Sequence, residues 1–252
     1  MTAPARLGIL DWGIGGVGVL RVLRQRTQRV PVLYVSDSGS IPYGLLSRTA
    51  LTLRVSQVLR HMVERGATSI MVACNAASTV IELASPGAVP VTGVIAPAIG
   101  LIPSEFRGAL GIIGGARTIR SGIYRRALAG PGRRIVQRIA QPLSAHIEAG
   151  TTGSARCAED LARILGPLRA VDAVLLACTH YPAIAESIGS LVPGARLLDP
   201  AAAVVDHVLA TFPLPKQRVA DSVLTTGNAR QTRVAALRAW GIDVGPCAFT
   251  CV

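Results

Sequence analysis

With 252 residues, half of them hydrophobic, the chain can bury the core of one large domain or two small ones and reads as globular. Its formal charge of +12 comes almost wholly from arginine, Lys216 being the only lysine. Five cysteines, an odd number without CxxC spacing, argue for reduced thiols and exclude a disulfide framework or a zinc site.

From the N-terminus, Met1 to Arg6 leave no room for a signal peptide's apolar region before Gly8-Ile9-Leu10-Asp11, so the expected address is cytoplasmic. Short apolar runs then alternate with longer amphipathic stretches: Leu7 to Leu10 with Val17 to Arg26, Val32 to Val35 with Ser47 to Arg65, Ser69 to Ala73 with Ala76 to Ala84. This is the alternation of a parallel sheet covered by helices. Gly87 to Pro103 is apolar, but prolines at 90, 97 and 103 break it and it is too short to span a bilayer, so it reads as strand and linker with no membrane partner. After Pro103 the rhythm resumes with Ala109 to Ile113, Thr118 to Leu128, Arg134 to Ile139, Ala155 to Leu168 and Val171 to Ala177.

The two passes align. Ser69 to Cys74 matches Ala173 to Cys178 in character, an apolar strand and a small residue ending in cysteine, and Gly8 to Asp11 corresponds to Gly111 to Gly114. Asp11 precedes Cys74 by 63 residues, and Gly114 precedes Cys178 by 64. The expectation is an α/β fold of two pseudo-symmetric lobes, each a parallel sheet flanked by helices, with the active site in the cleft between them. The first lobe takes residues 1–97 plus 205–252 and the second 98–204.

Ligands of open parallel sheets bind beyond the carboxyl ends of the strands, where both cysteines stand. A helix beginning after each would lower the thiol's pKa and favour an anion. Two thiols across a cleft suit inversion of a stereocentre, one removing the Cα proton and the other supplying a proton to the opposite face. Asp11 is placed to serve Cys74, or to cap the turn Gly13 to Gly16; His180 is placed to serve Cys178. Gly13-Ile14-Gly15-Gly16 lacks the rest of a phosphate-binding signature and reads as a tight turn or a close backbone approach.

These residues resemble the aspartate/glutamate racemase superfamily, most closely its glutamate racemase branch, over nearly the whole chain. Asp11 to Gly16 is similar to the DSGxGG opening, Ile41 to Gly44 to the PYG segment, Ala73-Cys74-Asn75 to ACNTA, and Ala177 to Pro182 to GCTHYP. Weaker likenesses are Gly93 to Ala98 to GVIEPA, Thr118 with Ser121 and Tyr124 to a Thr-Ser-Tyr series, and Ala145 to Gly150 to the segment carrying a catalytic glutamate.

The resemblance implies that Cys74 and Cys178 are the acid and base, that Asp11 assists the first, and that Glu148 with His180 assists the second. It implies that Asn75 and Thr179 hold the substrate α-carboxylate and that Pro42, Tyr43, Gly44 and Thr118 line its side-chain end. No cofactor is implied. The partners are an amino-acid substrate and, for a homodimer rather than a monomer, a second copy, in a cytoplasmic enzyme making D-glutamate for peptidoglycan.

Several positions depart from the pattern. Trp12 stands where the family has a small serine near the substrate amino group, and Ala76 replaces a carboxylate-binding threonine. Ala96, Ala116 and Pro200 replace a glutamate, a threonine and a serine. Each lost hydroxyl donor costs about 1 kcal/mol or more of anion binding, so the proton-transfer set is complete while recognition is eroded. Other readings are a racemase of a different amino acid, a one-thiol decarboxylase or cis–trans isomerase, and a non-catalytic protein that binds nucleic acid or a nucleic-acid enzyme. For the last, Arg21 to Arg26 and Arg133-Arg134 are the candidate surface, but dispersed arginines and 4% aromatic content favour solvated helix faces and an anionic small substrate.

Overall fold

The structure, a computed structural model, describes residues 3–84, 86–216 and 219–252. Met1 and Thr2, which open the N-terminal stretch read above, lie outside the described residues. Among the described residues, ten strands form two wholly parallel sheets. The first sheet holds β1 (Arg6–Asp11), β2 (Val32–Ser36), β3 (Ala67–Val72), β4 (Val91–Gly93), β9 (Ser222–Thr225) and β10 (Cys247–Phe249). The second holds β5 (Gly108–Gly114), β6 (Arg133–Ile139), β7 (Ala173–Ala177) and β8 (Arg196–Leu198).

The strand order exposes the duplication. The first sheet runs β10-β9-β2-β1-β3-β4 and the second β6-β5-β7-β8, so that β2-β1-β3-β4 and β6-β5-β7-β8 are one plan used twice. β1 and β5 are the central strands, and β3 and β7, which lead into the cysteines, pair directly with them. The α/β fold of two similar halves expected from the sequence is therefore present.

Strand residues alternate between faces, and both faces of each sheet are covered. Leu7 and Ile9 of β1 join a large cluster that also takes Ile147, Tyr181 and Ile184 from the other half. Leu10 instead packs with Leu51, Val55, Val58 and Met62 of helix Arg48–Glu64. In β5, Leu110 and Ile112 face a third cluster containing Tyr124 and Leu128.

Several elements differ from the sequence reading, for local reasons. The helix expected over Ala76 to Ala84 is only Asn75–Ser78 followed by a 3₁₀ turn, Ile81–Leu83. Ser78 Oγ donates to Val72 O (3.1 Å) and accepts from Val94 N (3.1 Å), and Thr79 Oγ1 donates to Ala76 O (2.6 Å), so hydroxyls replace the helical ladder. The stretch Thr118 to Leu128 is two helices, Ala116–Ser121 and Ile123–Leu128, parted at Gly122, whose φ of 68° takes it out of the helix. Gly87 to Pro103 is not merely strand and linker: β4 is followed by helix Ile95–Gly100, where Pro97 falls in the first turn and its missing N–H costs nothing. No helix directly follows Cys178. Thr179 and His180 make a turn, then a 3₁₀ segment, Tyr181–Ile184, precedes helix Ala185–Leu191.

One buried charge organises the approach to the site. Asp37, fully buried after β2, accepts hydrogen bonds from Tyr43 Oη (2.6 Å), Arg54 Nε (2.8 Å) and Thr226 Oγ1 (2.8 Å), and Arg54 Nη1 donates to Val252 O (2.9 Å). This node ties the Pro42 to Gly44 loop to helix Arg48–Glu64 and to the C-terminal strand pair. Arg54→Ala strands that carboxylate without its cation, and urea unfolding is expected to show a loss of about 3 kcal/mol, with Arg54→Lys losing less.

Candidate active site

Asp11 ends β1, Cys74 lies two residues beyond β3, and Cys178 immediately follows β7. The two thiols therefore reach the seam between the sheets from equivalent strand ends, as the spacing implied. Both border one small cavity, together with Trp12, Pro42, Tyr43, Gly44, Asn75, Ala76, Thr118, Thr179 and His180. Of the thirteen expected site residues, only Asp11 and Glu148 do not border it, and each touches the others from behind. Its volume is about 40 Å³, far below the several hundred Å³ of a roomy ligand pocket.

The Cys178 side is built on Glu148. Its Oε1 accepts from His180 Nε2 (2.6 Å) and from Ile14 N (2.8 Å), while His180 Nδ1 faces Cys178 Sγ at 3.7 Å. Burial opposes the imidazolium, but the hydrogen bonds to Cys178 and Glu148 outweigh it and hold His180 well above its ordinary range. For Glu148 burial pushes up, yet the His180 partnership and the Ile14 amide prevail, and the carboxyl lies below its ordinary range. The pair is charged, and it sits beside the sulfur.

The Cys74 side differs. Burial pushes the Cys74 thiol well above the ordinary thiol range, the nearby Asp11 charge adds to this, and the amides of Ala77 and Ala76 oppose it without cancelling it. Burial also raises Asp11, against the pull of His180 and the Gly16 amide. Asp11 Oδ2 accepts from Gly16 N (2.7 Å) and from Thr179 Oγ1 (3.3 Å). Both readings of Asp11 thus coexist in geometry: it caps the glycine turn and lies against Cys74.

The turn Gly13 to Gly16 serves a close approach. A Cβ on Gly13 would overlap Glu148 Oε1, and one on Gly15 would overlap Thr179 Oγ1. The backbone of the first half can therefore seat directly on the His180–Glu148 pair of the second. A further bond crosses the seam, Tyr124 Oη to Asn75 Oδ1 (2.6 Å). It leaves the Asn75 amide nitrogen buried without a partner, a donor positioned for an anion.

The sequence reading missed Gln141 and Ser144, which also border the cavity. They lie on helix Gln141–Ala149, seven and four positions before Glu148 and on its face, a helical spacing that would have found them. Gln141 Oε1 accepts from Ala116 N (3.1 Å) and its Nε2 donates to Ser144 Oγ (3.3 Å), so both are partnered within the second half. Asp199 and Pro200 line a separate rear cavity of about 420 Å³ that reaches Asn75, Cys178 and Thr179 from the other side.

Glu148→Gln keeps an oxygen for Ile14 N–H but removes the anion facing His180. With burial then opposing the cation, His180 is expected to titrate at lower pH than in the wild type, measured by NMR of the imidazole resonances. The sign for stability follows from linkage. A lowered carboxyl contributes above its ordinary 4.5 and a raised imidazole below its ordinary 6.5, so the pair's contribution is complete between those values. It is lost as pH falls through the Glu148 value or rises through that of His180.

The family model for Asp/Glu/hydantoin racemases matches residues 7–208. A glutamate racemase of Gloeobacter violaceus is 34% identical over 220 residues, covering 84% of this chain and 82% of its own. Glutamate racemase from Thermus thermophilus, solved with β-chloro-D-alanine, superposes with a TM-score of 0.83 at 29% identity, over 98% of this chain and 96% of that one. The enzyme from Francisella tularensis, solved with D-glutamate, gives a TM-score of 0.87 at 21% identity, over 98% and 97% of the two chains, a likeness of fold. The family match, the coverage and the identity lead to one assignment: the chain belongs to the Asp/Glu/hydantoin racemase family and, by that membership, is an isomerase.

Proposed function

We propose that the protein is a cofactor-independent amino-acid racemase of the glutamate racemase type, working by two thiols, with L- and D-glutamate the pair that the names of its relatives support. One observation carries the two-thiol reading: Cys74 and Cys178 leave equivalent strands and border the same small cavity. A substrate Cα held between them meets a sulfur on each face. One sulfur takes the Cα proton as a thiolate while the other, as a thiol, delivers its own, and the product leaves the proton states exchanged.

Each helper has a local task in this scheme. The His180–Glu148 ion pair faces Cys178 and balances a negative sulfur there; Asp11 keeps the proton on Cys74 until a carbanion develops beside it. The unpartnered Asn75 amide and the Thr179 hydroxyl receive the α-carboxylate, and Pro42, Tyr43, Gly44 and Thr118 surround the side-chain end. Trp12 and Ala76 complete the wall where the family pattern has hydroxyls. The lobes divide at residues 1–97 plus 205–252 and 98–204, and the cavity opens when they part. In a cell with a peptidoglycan wall, the product is D-glutamate for that polymer, made in the cytoplasm.

The surroundings of the two thiols are unequal, yet enantiomers have equal free energy. The value of kcat/KM must therefore be the same for both directions at every pH, and the inequality appears only in kcat and KM taken separately. Circular dichroism progress curves from each enantiomer are expected to give equal kcat/KM but different kcat.

The decisive test is exchange of the Cα proton with deuterated solvent, followed by NMR and chiral chromatography. Cys74→Ala and Cys178→Ala are each expected to lower racemisation by about 10²–10⁴-fold or more. A folded wild type that exchanges no amino acid refutes the reading, and survival of full activity in either variant refutes the second base.

A further inference from the structure

The two thiols are met by different donors. After Cys74 the chain enters the short helix Asn75–Ser78 at once, and the amides of Ala76 and Ala77 reach the sulfur. No helix begins directly after Cys178, and two amides of the following residues are spent inside the turn. Tyr181 N donates to Cys178 O (3.2 Å) and Ala183 N to His180 O (3.0 Å). Side chains stand in for helix amides here, and one of them is His180, whose Nδ1 faces Cys178 Sγ at 3.7 Å.

Tyr181 is the other. It is wholly buried in the apolar cluster against which Cys178 packs. Cys178 borders both the thiol cavity and the rear cavity, whereas Tyr181 borders neither, so the phenol meets the sulfur from the protein interior, away from any substrate. Its Oη has no hydrogen-bond partner among the described residues. Such a hydroxyl carries a desolvation cost that a phenylalanine in the same place would not. Burial keeps the phenol proton on, well above the ordinary range, and the Cys178 sulfur adds to this through its charge and through hydrogen bonding. A thiol is a weak acceptor, and an ionised sulfur a much stronger one.

The other titratable groups that act on this sulfur are His180, with Glu148 behind it, Tyr124, and Cys74 with Asp11 beside it. Arg21 and Asp199 share the rear cavity with it. Of the two phenols, Tyr124 gives its proton to Asn75 Oδ1 (2.6 Å), while that of Tyr181 is uncommitted. At the matching place in the first half, three residues after Cys74, stands Ala77, which has no hydroxyl to offer.

We propose that Tyr181 is a donor reserved for the Cys178 thiolate: its hydroxyl is idle while the sulfur is a thiol and hydrogen-bonds to it once the proton has left. The proposal deepens the two-thiol reading and rests on it for the reaction, though not for the contact. No proton passes to or from the phenol. It stabilises the state in which Cys178 is charged and Cys74 protonated, the state that draws a Cα proton towards Cys178.

The test compares wild type with Tyr181→Phe, which keeps the ring and removes only the hydroxyl. Cys178 is half-buried and borders the rear cavity of about 420 Å³, so a small alkylating reagent can reach it. Its alkylation by iodoacetamide is followed against pH by mass spectrometry of the peptide that carries it. The pH of half-maximal alkylation is expected to rise by about one unit in Tyr181→Phe, the tenfold that follows from losing one hydrogen bond to a charged group. The acid limb of kcat/KM for glutamate racemisation is expected to move the same way, equally from either enantiomer. If both profiles stay in place while urea unfolding shows Tyr181→Phe to be as stable as wild type or more so, the ring only fills space; that result overturns the inference and leaves two-thiol racemisation standing. A shifted alkylation profile in a protein that exchanges no amino acid keeps the donor and overturns the racemase reading.

Discussion

The arrangement of the site depends on one carboxylate with two obligations. Glu148 accepts the Ile14 amide from the first half and the His180 imidazole from its own, at 2.8 and 2.6 Å. A carboxylate that is mostly withdrawn from water draws on both donors, because taking a charge out of water without compensation costs up to several kcal/mol. Satisfying that need draws the glycine turn onto the second half, and the glycines at 13 and 15 are what make the approach sterically feasible. Asp11, Thr179, Asn75 and Tyr124 then close the remainder of the seam with their own hydrogen bonds. Docking of the halves and placement of the His180–Glu148 pair beside Cys178 are thus the same set of contacts.

The same contacts make the two thiols unlike. Cys178 faces an imidazolium, whereas Cys74 lies in apolar surroundings beside a carboxyl that burial has also raised. The duplicated strand plan gives geometric symmetry, and the residues placed on it remove electrostatic symmetry.

Much of this was legible before any coordinates. Near-equal spacing from Asp11 to Cys74 and from Gly114 to Cys178 anticipated strands that pair directly in each sheet, because parallel β-α-β units space their strand ends regularly. His180 and Glu148 were recognisable from motif likeness, although their 2.6 Å contact spans two separate elements and leaves no local pattern. The short helix at Asn75–Ser78 was not legible, since Ser78 and Thr79 take over backbone bonds in a way that composition does not announce. Gln141 and Ser144 were within reach of the sequence through their helical spacing from Glu148, although their own hydrogen bonds, to Ala116 N and to each other, belong to no motif.

The order of strands along the chain bears on how the molecule is made. Every strand of the four-stranded sheet lies between Gly108 and Leu198, while the six-stranded sheet draws on both chain ends and needs β9 and β10, the latter finishing at Phe249. On a ribosome the middle of the polypeptide can complete its sheet first, against the usual tendency of N-terminal units to fold before later ones. β2 waits with an open edge until Ser222–Thr225 has emerged to pair with it. The Arg54 contact with Val252 comes later still. A chain stalled before Ser222 would therefore carry Cys74 at the end of an unfinished sheet while the sheet that leads into Cys178 could already be complete.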